Sequence, residues 1–348
     1  MSNVLIHQLP MISLELNRFV AIFQIVFGTF GNVMNILIFS RRSLRSNPCS
    51  LYFLASSINN LFFLYVATLT RMLSSGWNID PSNSNLILCR SRIFLVYTSL
   101  CLIQWFVVLA SIDRYFSSCH TTHQRRWSSL TIARKSISLT IVLVSFAHFH
   151  TFVWWKIDRI GSKTYCNIFQ YNYEIAFQMF FLIFTCILPA MAMAIFGILT
   201  IINVKKLHHR VAPNPCNATR IDFRSKSKDR QLSLMLLIQI FVTLLCTMPF
   251  SVGNITSMVF NYLIELDEYG TAINTFYSDV GRIVNYFNPI VGFYIYTLSS
   301  RTFRLEIKTM LFEFLRSIST KLNVEKKISS RVMPIRQSHI VMKPMAKF

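Results

Sequence analysis

The chain has 348 residues, of which 53% are hydrophobic and only 14% charged, and it carries a formal net charge of +21. A soluble domain carries roughly 25% charged residues, so this balance and the mean hydropathy of +0.45 exclude an ordinary soluble fold. The basic excess does not indicate a nucleic-acid partner, because the basic residues flank apolar runs and form no single basic domain.

Residues 1–18 have no basic start and no small-residue cleavage site, and are read as an extracellular N-terminal segment, not a removable signal. Seven apolar runs follow, at about Phe19–Ser40, Ser50–Leu73, Leu88–Tyr115, Thr131–Trp154, Glu174–Val204, Gln231–Tyr262 and Thr271–Leu298. Each is long enough to cross roughly 30 Å of hydrocarbon as a helix, and helix is required because backbone groups in lipid must pair within the segment. The fold class is therefore all-α membrane protein, a seven-transmembrane bundle over residues 19–298. Residues 299–315 read as an amphipathic surface helix, with Phe303, Ile307, Met310, Leu311 and Phe314 on one face and Arg304 and Lys308 on the other. The tail, 316–348, is polar and basic and reads as cytoplasmic and disordered.

Most of the 35 Lys and Arg residues lie between the first and second runs, between the third and fourth, between the fifth and sixth, and after the seventh. Positive charge stays in the cytoplasm, so the N-terminus is expected outside and the C-terminus inside, in a multi-pass plasma-membrane protein. The longest polar loop, about Lys205–Arg230, is too short for a catalytic domain. No nucleophile–base or metal-spaced cluster gathers at one depth, so neither an enzyme nor a cofactor is expected. The absence of internal repeats weakens a transporter built from duplicated halves. Eight dispersed cysteines, with no C-x-x-C pair, make neither a disulfide scaffold nor a zinc site.

The third run ends in Ser111-Ile112-Asp113-Arg114-Tyr115. By itself an arginine here is also read as a snorkelling anchor. Cys89 precedes it by roughly 37 Å of helix, one full span, so the two mark opposite faces of the membrane. Cys166 follows the fourth run and is the other cysteine expected outside, where disulfides persist. Gly31-Asn32 lies in the first run, Pro189 in the fifth, Pro249 in the sixth and Asn288-Pro289 in the seventh, with Phe303-Arg304 after it. Interior prolines bend helices. Together, over Phe19–Leu315, these residues resemble the rhodopsin-like (class A) G-protein-coupled receptors. The resemblance implies a disulfide between Cys89 and Cys166, and a switch in which Asp113, Arg114 and Tyr115 engage a heterotrimeric G protein. Asp229 occupies the position of an acid that locks that arginine; it is equally read as local compensation for Arg224, Lys226, Lys228 and Arg230.

The chain departs from the family pattern at several positions. Ile58 stands at the expected sodium-binding Asp, with Asn59 and Asn60 as neutral substitutes. Thr247 replaces a tryptophan, Gly292 and Gly197 replace tyrosines, and the fourth run lacks its central tryptophan. Signalling-silent or decoy receptors share the fold, and these departures keep that reading as the alternative to a receptor that activates G proteins. The ligand-facing candidates are Val96, Tyr97 and Leu100 in the third run and Asp279 and Arg282 in the seventh. Val96 occupies the place of the Asp that pairs amines, which disfavours a biogenic amine. Arg282 occupies the place of the Schiff-base lysine of visual pigments, and a guanidinium forms no such imine. Asp279 and Arg282 are either a mutual ion pair three residues apart or a pair in which Arg282 meets a ligand carboxylate or carbonyl. The mixed charge of the outer loops suits a peptide ligand better than a lipid. His148 and His150 read as packed side chains.

Overall fold

The computed structural model describes residues 2–160, 163–210, 220–262 and 266–332. Among them, six helices are long and apolar enough to cross a membrane. They are α1 (Ser2–Phe39), α2 (Pro48–Gly76), α3 (Leu86–Ser118), α4 (Leu130–Trp154), α5 (Tyr171–Val204) and α6 (Arg220–Tyr262). The seventh crossing is made of two pieces, α7 (Glu268–Asn285) and α8 (Asn288–Ser299). It escapes a simple hydropathy test because α7 is amphipathic, with Thr, Asn, Ser, Asp and Arg among its residues. Side chains such as Leu139, Phe146, Ile198, Phe241 and Leu245 point outward from the bundle. Helices that are apolar all round belong in a membrane, and the protein is a multi-pass seven-helix bundle.

Local chemistry sets the helix starts. Asn47 caps α2 by accepting from the Cys49 N–H, with Pro48 in the first turn, where its missing N–H costs nothing. Asn85 caps α3, Ser129 caps α4 and Asp267 caps α7 through their side-chain oxygens. Periodicity starts α1 at Phe19, but the helix begins at Ser2. Its early polar residues are held by tertiary contacts: Ser13 and Asn17 are buried, and Arg18 donates to the Gly76 carbonyl at 2.6 Å.

The inward face of α2 carries Ser56, Ser57, Asn60 and Phe63, whereas Ile58 is 54% exposed. Helical spacing of three and four explains the assignment. Ile58, which stands at the expected acid's position, thus faces out of the bundle, whereas Asn60 faces in. Two stretches of α2, Leu64–Leu69 and Met72–Gly76, are wide π turns. A third, Leu182–Ile187 in α5, immediately precedes Pro189, which cannot donate to the carbonyl one turn back. Pro249 lies inside α6. At the seventh crossing the chain turns at Tyr286 and Phe287, and Pro289 enters the first turn of α8.

Between α4 and α5 a hairpin forms from β1 (Lys156–Ile160) and β2 (Lys163–Asn167), antiparallel, with Ile157 opposite Cys166. Residues 1–300 form one compact unit and 301–348 another. In the second, helix α9 spans Arg301–Val332 and leaves Leu305, Leu311, Phe312, Phe314 and Leu315 exposed. It runs past the expected boundary at 315 and into the part of the tail read as disordered, because no Pro or Gly interrupts residues 316–332.

Candidate ligand pocket and switch

At the Arg114 end of α3 an ion pair is sealed in the bundle. Arg114 is 1% exposed and Asp113 4%. The guanidinium donates to Asp113 Oδ2 from Nη2 at 2.7 Å and from Nε at 3.2 Å, while Ser128 donates to the other carboxylate oxygen at 2.7 Å. Arg114 Nη2 also donates to Asn47 Oδ1 at 3.2 Å. One oxygen therefore caps α2 and restrains the arginine, a double role that only the fold reveals. Asp229 lies in α6, and its side chain is outside the described residues. The Tyr115 ring packs against Phe116 and Phe196, at 5.3 and 5.6 Å between centroids.

Midway along the bundle, four buried polar side chains join α3, α6, α7 and α8. Gln104 donates to Thr247 Oγ1 at 3.3 Å; Asn288 donates to Thr247 Oγ1 at 3.1 Å and to Asn285 Oδ1 at 2.9 Å; Thr247 donates to Asn285 at 3.4 Å. Thr247, which replaces a large ring, is thus the hub of a hydrogen-bond network. Asn32 ties α1 to α8 by donating to the Pro289 carbonyl at 2.7 Å. At Gly292 a methyl would only touch the Tyr296 ring, which packs on Phe53 at 4.9 Å and Phe39 at 5.7 Å. Tyr296 therefore fills the neighbourhood where a tyrosine three residues after Pro289 is missing.

At the other end of α3, Cys89 and Cys166 form a disulfide that ties the hairpin to the bundle. The Cys166 N–H also donates to Asn83 Oδ1 at 3.0 Å, and Arg90 Nε donates to the Trp155 carbonyl at 3.0 Å. Beside it Arg92 grips both oxygens of Asp80 at 2.8 and 3.0 Å. Burial would push the Asp80 carboxyl up, but the Ser74 and Ser82 hydroxyls and Arg92 outweigh it and hold it below the usual carboxylate range.

Beneath the hairpin lies an aromatic floor. Leu100 is buried among Phe63, Ile103, Phe181, Phe250 and Tyr286, and Val96 and Tyr97 pack against this cluster. Tyr97 meets Phe177 and Phe181 edge-on at 4.8 and 5.3 Å. Val96, Tyr97 and Leu100 thus all belong to one aromatic-rich cluster. His148 is buried, bonded to the Val144 carbonyl and packed on Phe180; His150 bonds the Tyr173 hydroxyl.

Asp279 and Arg282, read as a mutual pair or as a pair in which Arg282 meets a ligand, stand 3.9 Å apart as an ion pair, and Asp279 has a closer partner. Asp279 Oδ1 accepts from Arg71 Nη2 at 2.8 Å and Oδ2 accepts from Ser13 at 2.6 Å, so both oxygens are engaged. Arg282 approaches the same Oδ1 only to 3.9 Å. Arg71, held also by Asn17 Oδ1 at 3.2 Å, was the overlooked residue. Its signal was a lone arginine inside an apolar run, which is costly in lipid and has a partner.

The family described as 7 transmembrane receptor (rhodopsin family) matches residues 31–296. Similar proteins include the somatostatin receptor type 3 of Homo sapiens, 24% identical over 240 residues, covering 67% of this chain and 54% of that receptor. Those of Mus musculus and Rattus norvegicus are each 24% identical over 242 residues, covering 67% and 55%. The chain thus spans about half the length of the relatives it matches.

Proposed function

On the premise that this chain belongs to the 7 transmembrane receptor (rhodopsin) family, which is a receptor family and not an enzyme family, we propose that it binds an extracellular peptide and activates heterotrimeric G proteins. In this reading it sits in the plasma membrane with the hairpin outside and the Arg114 end in the cytoplasm, in keeping with the positive-inside asymmetry. The observation that carries the reading is the build of α3. One rigid helix joins a disulfide-anchored hairpin over an aromatic floor to a buried Asp113–Arg114 pair at the opposite face.

Ligand type is supported by the similarity to receptors named for somatostatin and by Val96, which offers no carboxylate to an amine. Val96, Tyr97 and Leu100 line the pocket, with Asp279 and Arg282 at its rim. Asp113, Arg114 and Tyr115 form the switch, with Asp229 as a further restraint on Arg114. Pro189, Pro249, Asn288 and Pro289 mark the bends about which helices move. A ligand drives such a change only by binding one state more tightly than the other.

The test is expression of the full chain in cells and a screen of a neuropeptide library for calcium or cyclic-AMP responses. A peptide that evokes a response lost on Arg114→Ala is the expected result. Specific peptide binding without any nucleotide exchange on purified G proteins would instead support a signalling-silent receptor, the alternative to which the departures at Gly197 and Gly292 belong.

A further inference from the structure

Two guanidinium groups, Arg71 and Arg282, gather around one carboxylate, Asp279. Asp279 is shared out completely, to Arg71 and to Ser13. Among the described residues Arg282 donates no side-chain hydrogen bond, and its nearest carboxylate oxygen stands at 3.9 Å and already accepts from Arg71. Its side chain is 35% exposed. Two guanidinium groups thus share one carboxylate, and the cluster carries a net positive charge inside the membrane-spanning bundle, where charge is costly unless compensated.

Arg282 lies one helical turn before Tyr286, so the two share a face of the helix. Tyr286 belongs to the cluster against which Val96 and Tyr97 pack, and it lines a small cavity with Arg71. Tyr97 packs among Trp155, Phe177 and Phe181, and Tyr286 stands edge-on to Phe63 at 5.0 Å. A planar guanidinium with unused donors is suited to bidentate capture of a carboxylate. The aromatic walls beside it suit an apolar or aromatic group next to that carboxylate.

From this geometry we infer that Arg282 is the receiving cation for a ligand carboxylate borne next to an apolar or aromatic side chain, with Arg71 holding Asp279 out of competition. The inference rests on the receptor reading above and names the ligand class for the same pocket. The carboxylate comes from a peptide C-terminus or from an acidic side chain.

The experiment is affinity selection on the full-length receptor in nanodiscs, read by mass spectrometry. The probes are equimolar pools of short peptides ending in apolar or aromatic residues, with either a free or an amidated C-terminus. A third pool is amidated and carries one Asp or Glu. Wild type should retain carboxylate-bearing peptides over neutral ones by about tenfold or more, equivalent to about 1.4 kcal/mol per tenfold. Preference for the first pool assigns the C-terminus, and preference for the third assigns a side chain. Arg282→Gln should bring the ratio to about one, and Arg282→Lys should keep part of it; melting without peptide checks that both variants fold. Wild type that retains acids and amides equally, or retains neither, overturns the inference, as does an unchanged preference in Arg282→Gln. Failed nucleotide exchange on G proteins with the acid preference intact overturns the coupling reading alone.

Discussion

Asp279 binds Arg71, 208 positions away in the chain, at 2.8 Å, and leaves Arg282, three residues along its own helix, at 3.9 Å. The two arginines are therefore not equivalent. Replacing Asp279 by Asn leaves two cations without a carboxylate. Breaking a buried pair costs about 3–5 kcal/mol; these side chains are partly exposed, so roughly 1–3 kcal/mol is expected. Arg71→Met should cost less, since Arg282 stands next to the freed oxygen. Thermal unfolding of the two purified variants checks the order, and equal losses would argue against the asymmetry.

Asn47 offers a direct handle on the switch. Asn47→Ala removes both the cap of α2 and one acceptor of Arg114. A lost cap costs about 1 kcal/mol, and a similar bias toward a minor active state raises its population roughly fivefold. Basal nucleotide exchange should rise accordingly, and Asp229→Asn should act in the same direction. Arg114→Ala should abolish exchange while peptide binding persists. Full agonist signalling in Arg114→Ala would remove the proposed coupling mechanism.

Gly281 lets α7 touch α6. A methyl there would stand 2.9 Å from the Pro249 carbonyl oxygen and 3.2 Å from the Phe250 Cα. Backbone cannot swing aside as a side chain does, so Gly281→Ala should destabilise by about 1–3 kcal/mol. Gly197→Ala is the control, because a methyl there meets only Leu237 and Ile240 side chains at 3.6 and 3.7 Å. A comparison of melting temperatures decides it; equal values would mean that α6 and α7 yield freely.

Acid should loosen the end of the bundle that carries the disulfide. The Asp80 carboxyl is held below its ordinary value by Ser74, Ser82 and Arg92 against the effect of burial. A depressed native value stabilises the fold above the ordinary carboxylate value and loses that contribution as pH falls through the depressed one. The Asp80–Arg92 clamp should thus persist through the ordinary carboxylate range and be lost only at a pH below it. Asp80→Asn should flatten this part of the stability curve. An identical acid profile for the two proteins would show that the clamp contributes nothing.

Cys89→Ala or Cys166→Ala frees the hairpin from α3. A native disulfide contributes roughly 2–4 kcal/mol, so surface expression should fall sharply in either single variant, and the double variant should be no worse than the singles. Additive losses would mean that the cysteines act separately.

Much of this organisation is legible in the chain itself. Run length and apolar composition reveal the spans, and the distance from Cys89 to Arg114 along one helix places the two landmarks at opposite ends. What local pattern hides is tertiary pairing. Nothing near Arg71 in sequence names Asp279, and nothing near Asn47 names Arg114. That Ile58 faces outward while Ser56, Ser57 and Asn60 face inward is set by the packing of α2 against its neighbours, not by position along the run. The hairpin Lys156–Asn167 was missed because a two-stranded ribbon held by a disulfide needs little apolar alternation of its own.

The wide turn at Leu64–Leu69 bears on insertions and deletions in α2. A π turn accommodates about one residue more than an α turn, so it absorbs that residue without rotating the turns beyond it. A regular helix of equal residue number would carry Arg71 about 100° further round, away from Asp279. Removal of one residue within Leu64–Leu69 should therefore relax the turn and leave Arg71 on Asp279. The same deletion within the regular turns at Ser56–Asn60 would rotate the rest of α2 out of phase. Indel tolerance in this helix is confined to its two wide turns, Leu64–Leu69 and Met72–Gly76, where a surplus residue is already stored.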